Sequence, residues 1–343
     1  MPAQFPRPVM NTPQHALMAR PAPRLLSLVI PAYNEGPVLP LLRRVLERLV
    51  VTMACELELI FVDDGSTDET ARLLMEWASQ DKRVKVISLA RNFGHQAAAT
   101  AGLDHARGQA VVLMDADLQD PPELVHEMLQ KYCEGYDVVY AQRVAREGEG
   151  ILKRVTAWLF YRLMRRFVYR DLPLDTGDYR LISERCLRAL QSMRETHRFL
   201  RGMVAWAGFP QTAVQFRRQR RPAGGTKYPV RKMVRFAWTA AVSFSPLPLK
   251  VSLALGILLA LAGFSYGCYA TVRVFLGLYV VPGWTSLLVV TCLIGGSILM
   301  GLGILGEYVA RIYEEVKGRP LYLVYRSANL EPEGGNPVHP HAR

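Results

Sequence analysis

Two carboxylates, Asp115 and Asp117, lie one residue apart directly after an apolar run from Ala110 to Met114. Such a run predicts a buried strand, and two acids at its tip would lose hydration and repel each other unless a cation or a phosphate-bearing ligand bound there. Carboxylate oxygens suit Mg²⁺ or Mn²⁺, which proteins often hold through one or two acids and the phosphates of a substrate. The alternative is that both acids cap a helix opened by Pro121 and Pro122. The spacing favours the cation site.

The strand before these acids belongs to a repeating pattern of strands and helices. Apolar segments that predict strands alternate with helical stretches, and these segments are residues 25–30, 57–62, 84–89, 110–114 and 137–141. This order predicts an α/β fold in which a mainly parallel sheet is covered by helices on both faces. Ligands of such sheets bind beyond the carboxyl ends of the strands. The pattern therefore puts Asp115 and Asp117 at the edge where a binding site is expected.

Polar residues follow the other predicted strands at the same edge. The four clusters are residues 31–35, 63–68, 91–94 and 115–117. Each cluster alone fits an ordinary turn and helix cap, and that interpretation is favoured for Ser66, Thr67 and Asp68. Because the carboxyl ends of parallel strands lie together, the joint occurrence of four clusters indicates one site. The sequence contains no phosphate-binding glycine-rich loop, no HExxH sequence and no nucleophilic Ser or Cys motif.

Two long uncharged stretches occur near the carboxyl end of the chain. Residues 251–272 form a stretch of 22 and residues 274–306 a stretch of 33, whereas a bilayer crossing needs about 20. Pro282 and Gly283 form a turn signal within the second stretch. The sequence therefore predicts a transmembrane hairpin with helices at about 250–273 and 284–306, in residues 247–310. A buried pair of helices in a soluble protein is the alternative.

Basic residues flank both ends of this predicted hairpin. Eight Arg and Lys residues, with no acid among them, occur from Arg217 to Arg235, and Arg311, Lys317 and Arg319 follow the second stretch. Only Arg273 borders the connecting loop. An excess of positive charge on both flanks predicts that both termini are cytoplasmic. The net charge of +12 is thus explained mainly by the membrane, and no nucleic-acid partner is expected because no recognised binding motif accompanies it.

The remaining segments complete a predicted domain plan. Residues 1–23 are rich in proline and are expected to be a disordered tail, residues 24–228 a cytoplasmic catalytic domain, and residues 311–343 a cytoplasmic tail. Residues 151–170 combine apolar positions at helical spacing with basic residues and no acid, which predicts an interfacial helix. A helix packed on the core is the alternative. A second, juxtamembrane amphipathic helix is predicted at 229–246.

Three groups of residues together resemble a known family. They are Leu28–Glu35 with Val62–Asp68, the stretch Asp115–Glu123, and Arg218–Tyr228 with the pattern Arg-x-x-Arg-x-Ala-Gly-Gly-Thr-Lys-Tyr. Their combination is similar to that of inverting GT-A glycosyltransferases that charge polyprenyl phosphates, with bacterial bactoprenol glucosyltransferases and dolichol-phosphate mannosyltransferases nearest in pattern. The resemblance covers residues 25–325. It implies a GT-A nucleotide-sugar-binding domain followed by interfacial helices and a two-helix transmembrane hairpin.

The resemblance also implies roles for individual residues. The nucleoside would be held by Pro31, Tyr33, Glu35 and Asp64. The divalent cation, Mg²⁺ or Mn²⁺, would be held by Asp115, Asp117 and Gln119, with Ala116 beside the donor. Arg143 would approach the phosphates. The other three cations would close over either the donor diphosphate or the lipid phosphate, and they are Arg218, Arg221 and Lys227. Arginine and lysine suit phosphate on chemical grounds as well. Asp178 would orient the acceptor or act as a base, although a plain turn at Thr176-Gly177-Asp178 is an equal alternative.

The expected reaction is metal-dependent, inverting transfer of a single sugar from a UDP- or GDP-sugar to undecaprenyl or a similar polyprenyl phosphate. The expected place is the cytoplasmic face of a bacterial inner membrane, and a homo-oligomer is expected. A processive polysaccharide synthase is the enzymatic alternative, but the stretch from Gln191 to Glu195 lacks the Trp of the Gln-x-x-Arg-Trp pattern. A non-catalytic scaffold or flippase component is the other alternative. The residues do not identify the sugar.

Overall fold

The computed structural model describes residues 17–143, 176–216, 247–276 and 283–330. Within them, the strands are β1 (Leu25–Ala32), β2 (Glu56–Asp63), β3 (Val84–Leu89), β4 (Ala110–Leu113), β5 (Val138–Arg143), β6 (Thr176–Ser183), β7 (Gln211–Phe216) and β8 (Val324–Ala328). The helices are α1 (Leu39–Thr52), α2 (Thr70–Gln80), α3 (His95–His105), α4 (Val125–Cys133), α5 (Glu184–Ser192), α6 (Leu200–Ala207), α7 (Leu247–Phe275) and α8 (Trp284–Val316). The chain divides into two compact units, one containing the sheet and the other containing α7 and α8.

The sheet has the strand order β7-β5-β6-β4-β1-β2-β3-β8. Strands β1 to β4 pair in parallel, β4 and β2 with β1, and β3 with β2. The five segments predicted from apolar runs coincide with β1 to β5. Nearly every residue of β1, β2 and β4 is buried, because both faces of the sheet are covered and both must be apolar. The predicted α/β fold with a mainly parallel sheet is confirmed.

Helices cover the sheet on two sides with separate apolar cores. One core joins the sheet to α1, α2 and α4 through side chains such as Leu42, Trp77 and Met128. The other joins it to α3, α5 and α6 through side chains such as Ala98, Leu187 and Met203. In α3, a Cβ at Gly102 would lie 2.3 Å from a methyl carbon of Val29. Glycine at this position therefore lets α3 lie close against the strands, which fixes the helix that begins at His95.

Strand β6 was not expected from the sequence, and it changes the geometry of the site. It lies between β4 and β5 and runs antiparallel to both, with Leu113 opposite Arg180 and Ala110 opposite Ser183. We use "carboxyl rim" for the sheet edge at the carboxyl ends of β1 to β4, and "amino rim" for the edge at their amino ends. Because β6 runs antiparallel to β4, its first residues lie at the carboxyl rim. Asp178 is thereby brought beside the end of β4.

The other end of β6 reaches a buried ion-pair cluster at the amino rim, which we call the Asp137 cluster. Its members are Asp137, Arg20, Ser183 and Arg185. Asp137 is fully buried and accepts hydrogen bonds from Ser183 Oγ at 2.7 Å, Arg185 Nε at 2.6 Å and Arg20 Nη1 at 3.2 Å. Although burial acts in the opposite sense, Arg185, Ser183 and Arg20 hold the pKa of Asp137 below its ordinary value. This cluster ties the amino-terminal segment and α5 to the sheet.

The chain returns to the sheet after α8, in a segment that the sequence predicted as a tail. Strand β8 pairs antiparallel with β3, and the Tyr322 hydroxyl donates to Asp104 Oδ2 at 2.9 Å. Asn329, at φ 55°, donates to the carbonyls of Ala78 at 2.6 Å and Val84 at 2.9 Å. Residues 320–330 were predicted to be part of a tail at 311–343. The structure differs from this prediction, because these residues belong to the unit that contains the sheet.

The second unit contains two long apolar helices. Stretches Ser252–Tyr269 in α7 and Leu293–Val316 in α8 are long and apolar enough to cross a membrane, which matches the predicted hairpin by length and composition. Helix α8 ends at Val316, about ten residues beyond the predicted end, so it includes Glu307 and Arg311. The predicted amphipathic helices at 151–170 and 229–246 lie outside the described residues, as do residues 1–16 of the predicted amino-terminal tail.

Candidate active site

The loops after β1 and β2 are joined by hydrogen bonds at the carboxyl rim. The Asn34 amide N–H donates to Ser66 Oγ at 3.0 Å, and Asn34 Oδ1 accepts from the Thr67 N–H at 2.9 Å. Asp68 accepts from the N–H groups of Gly36 at 3.1 Å and Thr70 at 3.0 Å. Residues 66–68 thus form the turn and the helix-start contact that the sequence indicated. They also fix the first rim loop to the second.

Asp64 fixes the third rim loop. Its Oδ1 accepts from the Phe93 N–H at 2.7 Å and its Oδ2 from the Gly94 N–H at 2.9 Å. Burial raises the pKa of Asp64, while these two hydrogen bonds act in the opposite direction. Gly65, at φ 68°, packs so closely that a Cβ there would lie 2.5 Å from the Arg91 carbonyl carbon. Asp64, predicted as a nucleoside contact, therefore uses both oxygens to hold the loop from which α3 starts.

The two acids that follow β4, Asp115 and Asp117, differ in their exposure to solvent. Asp117 is buried, and its Oδ1 accepts from the Gln119 N–H at 3.0 Å. Leu118, which lies between Asp117 and Gln119, has φ 56°. This left-handed conformation costs a bulky side chain about 1–3 kcal/mol and is concentrated at functional sites. The Asp115 side chain is 38% exposed. The 3₁₀ turn Pro122–Leu124 and helix α4 both begin without a side-chain cap, so neither Asp115 nor Asp117 caps them.

Asp178 lies beside Asp115 in a group of charged side chains that we call the Asp178 cluster. Its members are Asp178, His95, Gln96 and Arg201. His95 Nε2 lies 3.3 Å from Asp178 Oδ2 and 3.6 Å from Asp115 Oδ1. Arg201 Nε donates to Asp178 Oδ1 at 2.7 Å, and Arg201 Nη2 lies 3.2 Å from Asp178 Oδ2. His95 therefore connects the acid that ends β4 with the acid on β6.

The charges of these groups depend on one another. Burial, followed by repulsion from Asp178 and Asp117, raises the pKa of Asp115, against the attraction of His95. Burial alone would lower the pKa of His95, but the carboxylates of Asp178 and Asp115 raise it to about 8. Although burial acts in the opposite sense, His95 and Arg201 hold the pKa of Asp178 well below its ordinary value. At neutral pH, Asp178 is ionised and His95 is largely protonated.

Mg²⁺ or Mn²⁺ fits the donor atoms of Asp115 and Asp117. A cation there would relieve the repulsion that raises the pKa of Asp115. Among the described residues, no group of three or more His, Cys, Asp or Glu side chains could hold a metal ion. Mg²⁺ is commonly bound by one or two carboxylates, with waters and the phosphate oxygens of a substrate as its other ligands.

The other residues predicted for the site are distributed as follows. Tyr33 is 46% exposed at the rim, Glu35 and Gln119 are half-buried, and Pro31 and Ala116 are buried. Arg143 is the last residue of β5, and its side chain is not described. Arg218, Arg221 and Lys227 lie outside the described residues. The structure thus brings the rim residues of β1, β2 and β4 together with Asp178, and it does not test the four basic residues.

Three site residues were missed by the sequence reasoning: His95, Gln96 and Arg201. A signal existed for His95 and Gln96, because they directly follow the polar cluster at 91–94 and open a helix at the carboxyl rim. Arg201 had no comparable signal. It lies in α6, 23 residues after Asp178, and its place depends on how α6 docks against the sheet.

Known proteins that are similar to this chain are glycosyltransferases. The family model for glycosyl transferase family 2 matches residues 27–190. The chain is 44% identical over 308 residues to the uncharacterized glycosyltransferase YkcC of Bacillus subtilis, with 89% of this chain and 94% of that protein covered. A structure of glucosyl-3-phosphoglycerate synthase from Mycobacterium tuberculosis with Mn²⁺ and uridine diphosphate has a TM-score of 0.44, 18% identity, and coverage of 64% of this chain and 78% of that one.

A second relative has a more informative name. The chain is 36% identical over 307 residues to the SfII prophage-derived bactoprenol glucosyl transferase of Shigella flexneri, with 90% of this chain and 99% of that protein covered. The match extends well beyond the family domain, so it includes the region of the two apolar helices. The chain therefore belongs to glycosyl transferase family 2 and is a glycosyltransferase of the GT-A type.

Proposed function

We propose that this enzyme transfers a single sugar from a UDP- or GDP-sugar to undecaprenyl or a similar polyprenyl phosphate, with inversion at the anomeric carbon and with Mg²⁺ or Mn²⁺. The observation that carries the proposal is the pairing, at the carboxyl rim, of an accessible metal-type acid, Asp115, with an ion-paired acid, Asp178, only one histidine away. The names of the bactoprenol glucosyl transferase relatives support the lipid acceptor.

On the donor side, Asp115 and Asp117 would hold the cation, with Gln119 nearby. The cation supplies charge neutralisation for the departing nucleoside diphosphate. Tyr33, exposed at the rim, would contact the nucleoside together with Pro31, Glu35 and Asp64, and Ala116 would lie beside the donor. Arg143, Arg218, Arg221 and Lys227 would bind phosphates. The exposure of Tyr33 and of the Asp115 side chain supports their roles, and the other roles are proposed from the family resemblance.

On the acceptor side, a phosphate oxygen of the lipid would form a bond to the anomeric carbon as the bond to the donor diphosphate breaks. The electron pair of that bond leaves with the nucleoside diphosphate. A phosphate monoester with a second pKa of about 6 is already largely ionised at neutral pH, so no proton need be removed. The pKa of Asp178, held low by His95 and Arg201, favours an orienting role over that of a base. The rate gain would then come from placement and charge stabilisation.

A membrane location at the cytoplasmic face fits the connectivity of the chain. The polypeptide leaves the sheet-containing unit before α7 and rejoins it at β8, which pairs with β3. If α7 and α8 both cross a bilayer, the two outer ends of the hairpin lie on the same side of it. The basic residues that flank these ends favour the cytoplasmic side. A homo-oligomeric state is part of the proposal.

The direct test offers the purified full-length chain a panel of UDP- and GDP-sugars with undecaprenyl phosphate and Mg²⁺ or Mn²⁺. Extracted lipid is analysed by mass spectrometry, and the anomeric configuration of the product by NMR. We expect one sugar per lipid from one preferred donor, with inverted configuration. Lipids carrying several sugars would support the processive synthase instead, and absence of a lipid product with every donor would refute the proposal.

The cation requirement has its own test. Asp117→Ala should reduce turnover by at least about 100-fold, about 2.7 kcal/mol of transition-state stabilisation, because it removes a charge from the proposed metal clamp. Excess chelator should have a comparable effect on the unmodified enzyme. The control is Asp81→Ala, which removes an acid whose partner is the exposed Arg83, far from the rim acids in the fold. Full turnover in Asp117→Ala or in chelator would exclude the assigned cation site.

A further inference from the structure

Arg201 is held at the carboxyl rim by a bridging glutamine. Gln96 Oε1 accepts from the Leu200 N–H at 2.9 Å, which fixes the first turn of α6 against the start of α3. The same side chain extends its Nε2 to Asp178 Oδ2 at 3.4 Å. Gln96 therefore contacts both the acid and the helix that carries Arg201. The ion pair of Arg201 with Asp178 is built into the packing of α3, β6 and α6.

The charges at this rim make binding of an anion difficult without cations. Asp115, Asp117 and Asp178 are three acids at the end of β4 and the start of β6, and a lipid phosphate adds a charge of about −1.5 to −2 at neutral pH. A divalent cation would neutralise the first two acids. Among the described residues, Arg201 and His95 are the cationic side chains that contact the Asp178 carboxylate. A phosphate approaching the anomeric carbon from this side must therefore meet these cations.

Among the described residues, Arg180 and Arg201 lie near Asp178, and Arg201 is the better suited of the two to contact a ligand. Arg180 is buried, and its Nε and Nη2 donate to the carbonyls of Asp178 at 3.3 Å and Gly177 at 3.1 Å. It holds the backbone at the start of β6, and burial lowers its pKa to about 10, so it remains charged. The Arg201 side chain is 31% exposed, so it is partly open to solvent while it pairs with Asp178.

We propose that Arg201 binds the phosphate of the polyprenyl phosphate acceptor, with Asp178 holding the guanidinium in place before the lipid arrives. The assignment rests on the proposed function and names a contact for its acceptor. A planar guanidinium can grip two phosphate oxygens at once, and phosphate competes with a carboxylate for the same donors. The diphosphate of the sugar donor carries the same chemistry. Separate kinetics for the two substrates distinguish these two ligands.

The test compares Arg201→Gln with the unmodified full-length enzyme in detergent, with undecaprenyl phosphate and the preferred nucleotide sugar varied independently. We expect the KM for undecaprenyl phosphate to rise by at least about tenfold, because a charge-assisted, two-point contact is lost. The KM for the nucleotide sugar should stay within about twofold of its original value, because that contact is not made by Arg201. The matched control is Arg185→Gln, which removes an arginine from the buried Asp137 at the amino rim.

A second variant, Arg201→Lys, allows the test to be made even if Arg201→Gln does not fold. It retains the positive charge but replaces a fork with a point charge, and it should raise the KM for undecaprenyl phosphate by at least about threefold. Thermal unfolding in detergent reports whether each variant is folded. If only the lysine variant is folded, its KM values decide the question by the same criteria.

Four results would overturn the proposal. An unchanged KM for undecaprenyl phosphate in both Arg201 variants would exclude a contact with the lipid phosphate, while the proposed function would stand. A selective rise in the KM for the nucleotide sugar would assign Arg201 to the donor diphosphate. If the unmodified enzyme transfers sugar to no polyprenyl phosphate, the proposed function fails together with this assignment. An equal rise in Arg185→Gln would show that loss of an ion pair alone accounts for the effect.

Discussion

The Asp137 cluster and the Asp178 cluster lie at opposite rims of the same sheet, near the two ends of β6, and each is built around a buried aspartate paired with arginine. In the Asp137 cluster, two arginines and a serine surround one acid, and the contacts connect segments of the fold. In the Asp178 cluster, the histidine on the acid also contacts a second acid, Asp115, whose side chain is accessible. The two clusters therefore differ in what depends on the buried acid. Asp137 holds segments of the fold together, whereas Asp178 also influences the charges of His95 and Asp115 at an open rim.

The electrostatics of the two clusters express the same difference. The pKa of Asp137 is held low by its arginines and Ser183, and its side chain is fully buried. At the carboxyl rim, the pKa of Asp178 is held low, while that of Asp115 is raised in part by Asp178 itself. Repulsion between acids in the folded state lowers the stability of the protein, and a cluster with only a structural role has no use for it. A cation that binds there is attracted by these acids and relieves their repulsion.

The largest expected effect separates the clusters by turnover. Asp178→Asn should reduce sugar transfer by at least about 100-fold, about 2.7 kcal/mol, because Arg201 and His95 lose the charge that positions them. The measurement is kcat for the folded variant at saturating substrates, compared with Asp137→Asn. Folded Asp137→Asn should retain turnover within about twofold, since its cluster lies at the amino rim away from the reacting groups. Comparable losses in the two variants would mean that the distinction between the rims is mistaken.

A smaller effect separates the clusters by stability. Asp137→Asn should lower the free energy of unfolding by at least about 2 kcal/mol, because hydrogen bonds to a charged, buried acceptor contribute about 1.5–3 kcal/mol each. Asp178→Asn should lower it by less than about 1 kcal/mol, because loss of its ion pair is offset by relief of the repulsion with Asp115. Denaturant unfolding in detergent measures both. A greater loss of stability in Asp178→Asn than in Asp137→Asn would contradict the assignment of Asp137 to a structural role.

The smallest expected effect is a pH dependence carried by His95. Its pKa is raised from 6.5 to about 8 by Asp178 and Asp115, against the effects of burial and of Arg201. A group whose pKa is raised by folding stabilises the fold fully below its unfolded pKa, and this contribution is lost as the pH rises through the folded pKa. The difference in unfolding free energy between the unmodified protein and His95→Gln, in metal-free buffer, should therefore be largest below about pH 6.5 and should fall through about pH 8.

A matched comparison controls for other groups that titrate in this range. His126 lies outside the Asp178 cluster, where its Nδ1 lies 3.1 Å from the Glu123 carbonyl oxygen. His126→Gln, measured over the same pH range, is the control for the loss of a histidine outside this cluster. If the difference for His95→Gln is flat between about pH 6 and 9, the ion pairs of His95 contribute nothing measurable in solution.

The described carboxyl rim was predictable from local sequence to a large extent. Apolar runs followed by polar residues identified β1 to β4 and their loops, because a strand buried on both faces must be apolar throughout and its exposed end need not be. The same reasoning found Asp115 and Asp117. It could not find Arg201, because no periodicity marks a residue whose role comes from the docking of α6. It also assigned Asp64 to a ligand without detecting its bonds to Phe93 and Gly94.

The sequence by itself determined the α/β class, the carboxyl-rim site and the two long apolar helices, since each depends on burial patterns or motifs within a short stretch of chain. Tertiary structure decided which distant residues meet. The antiparallel course of β6 brings Asp178 beside Asp115, the close packing of α3 inserts His95 between them, and β8 returns the chain to the edge of β3. Gln96 and Asp178 are 82 residues apart in sequence. Contacts over such distances depend on strand pairing and helix docking, which local propensity does not encode.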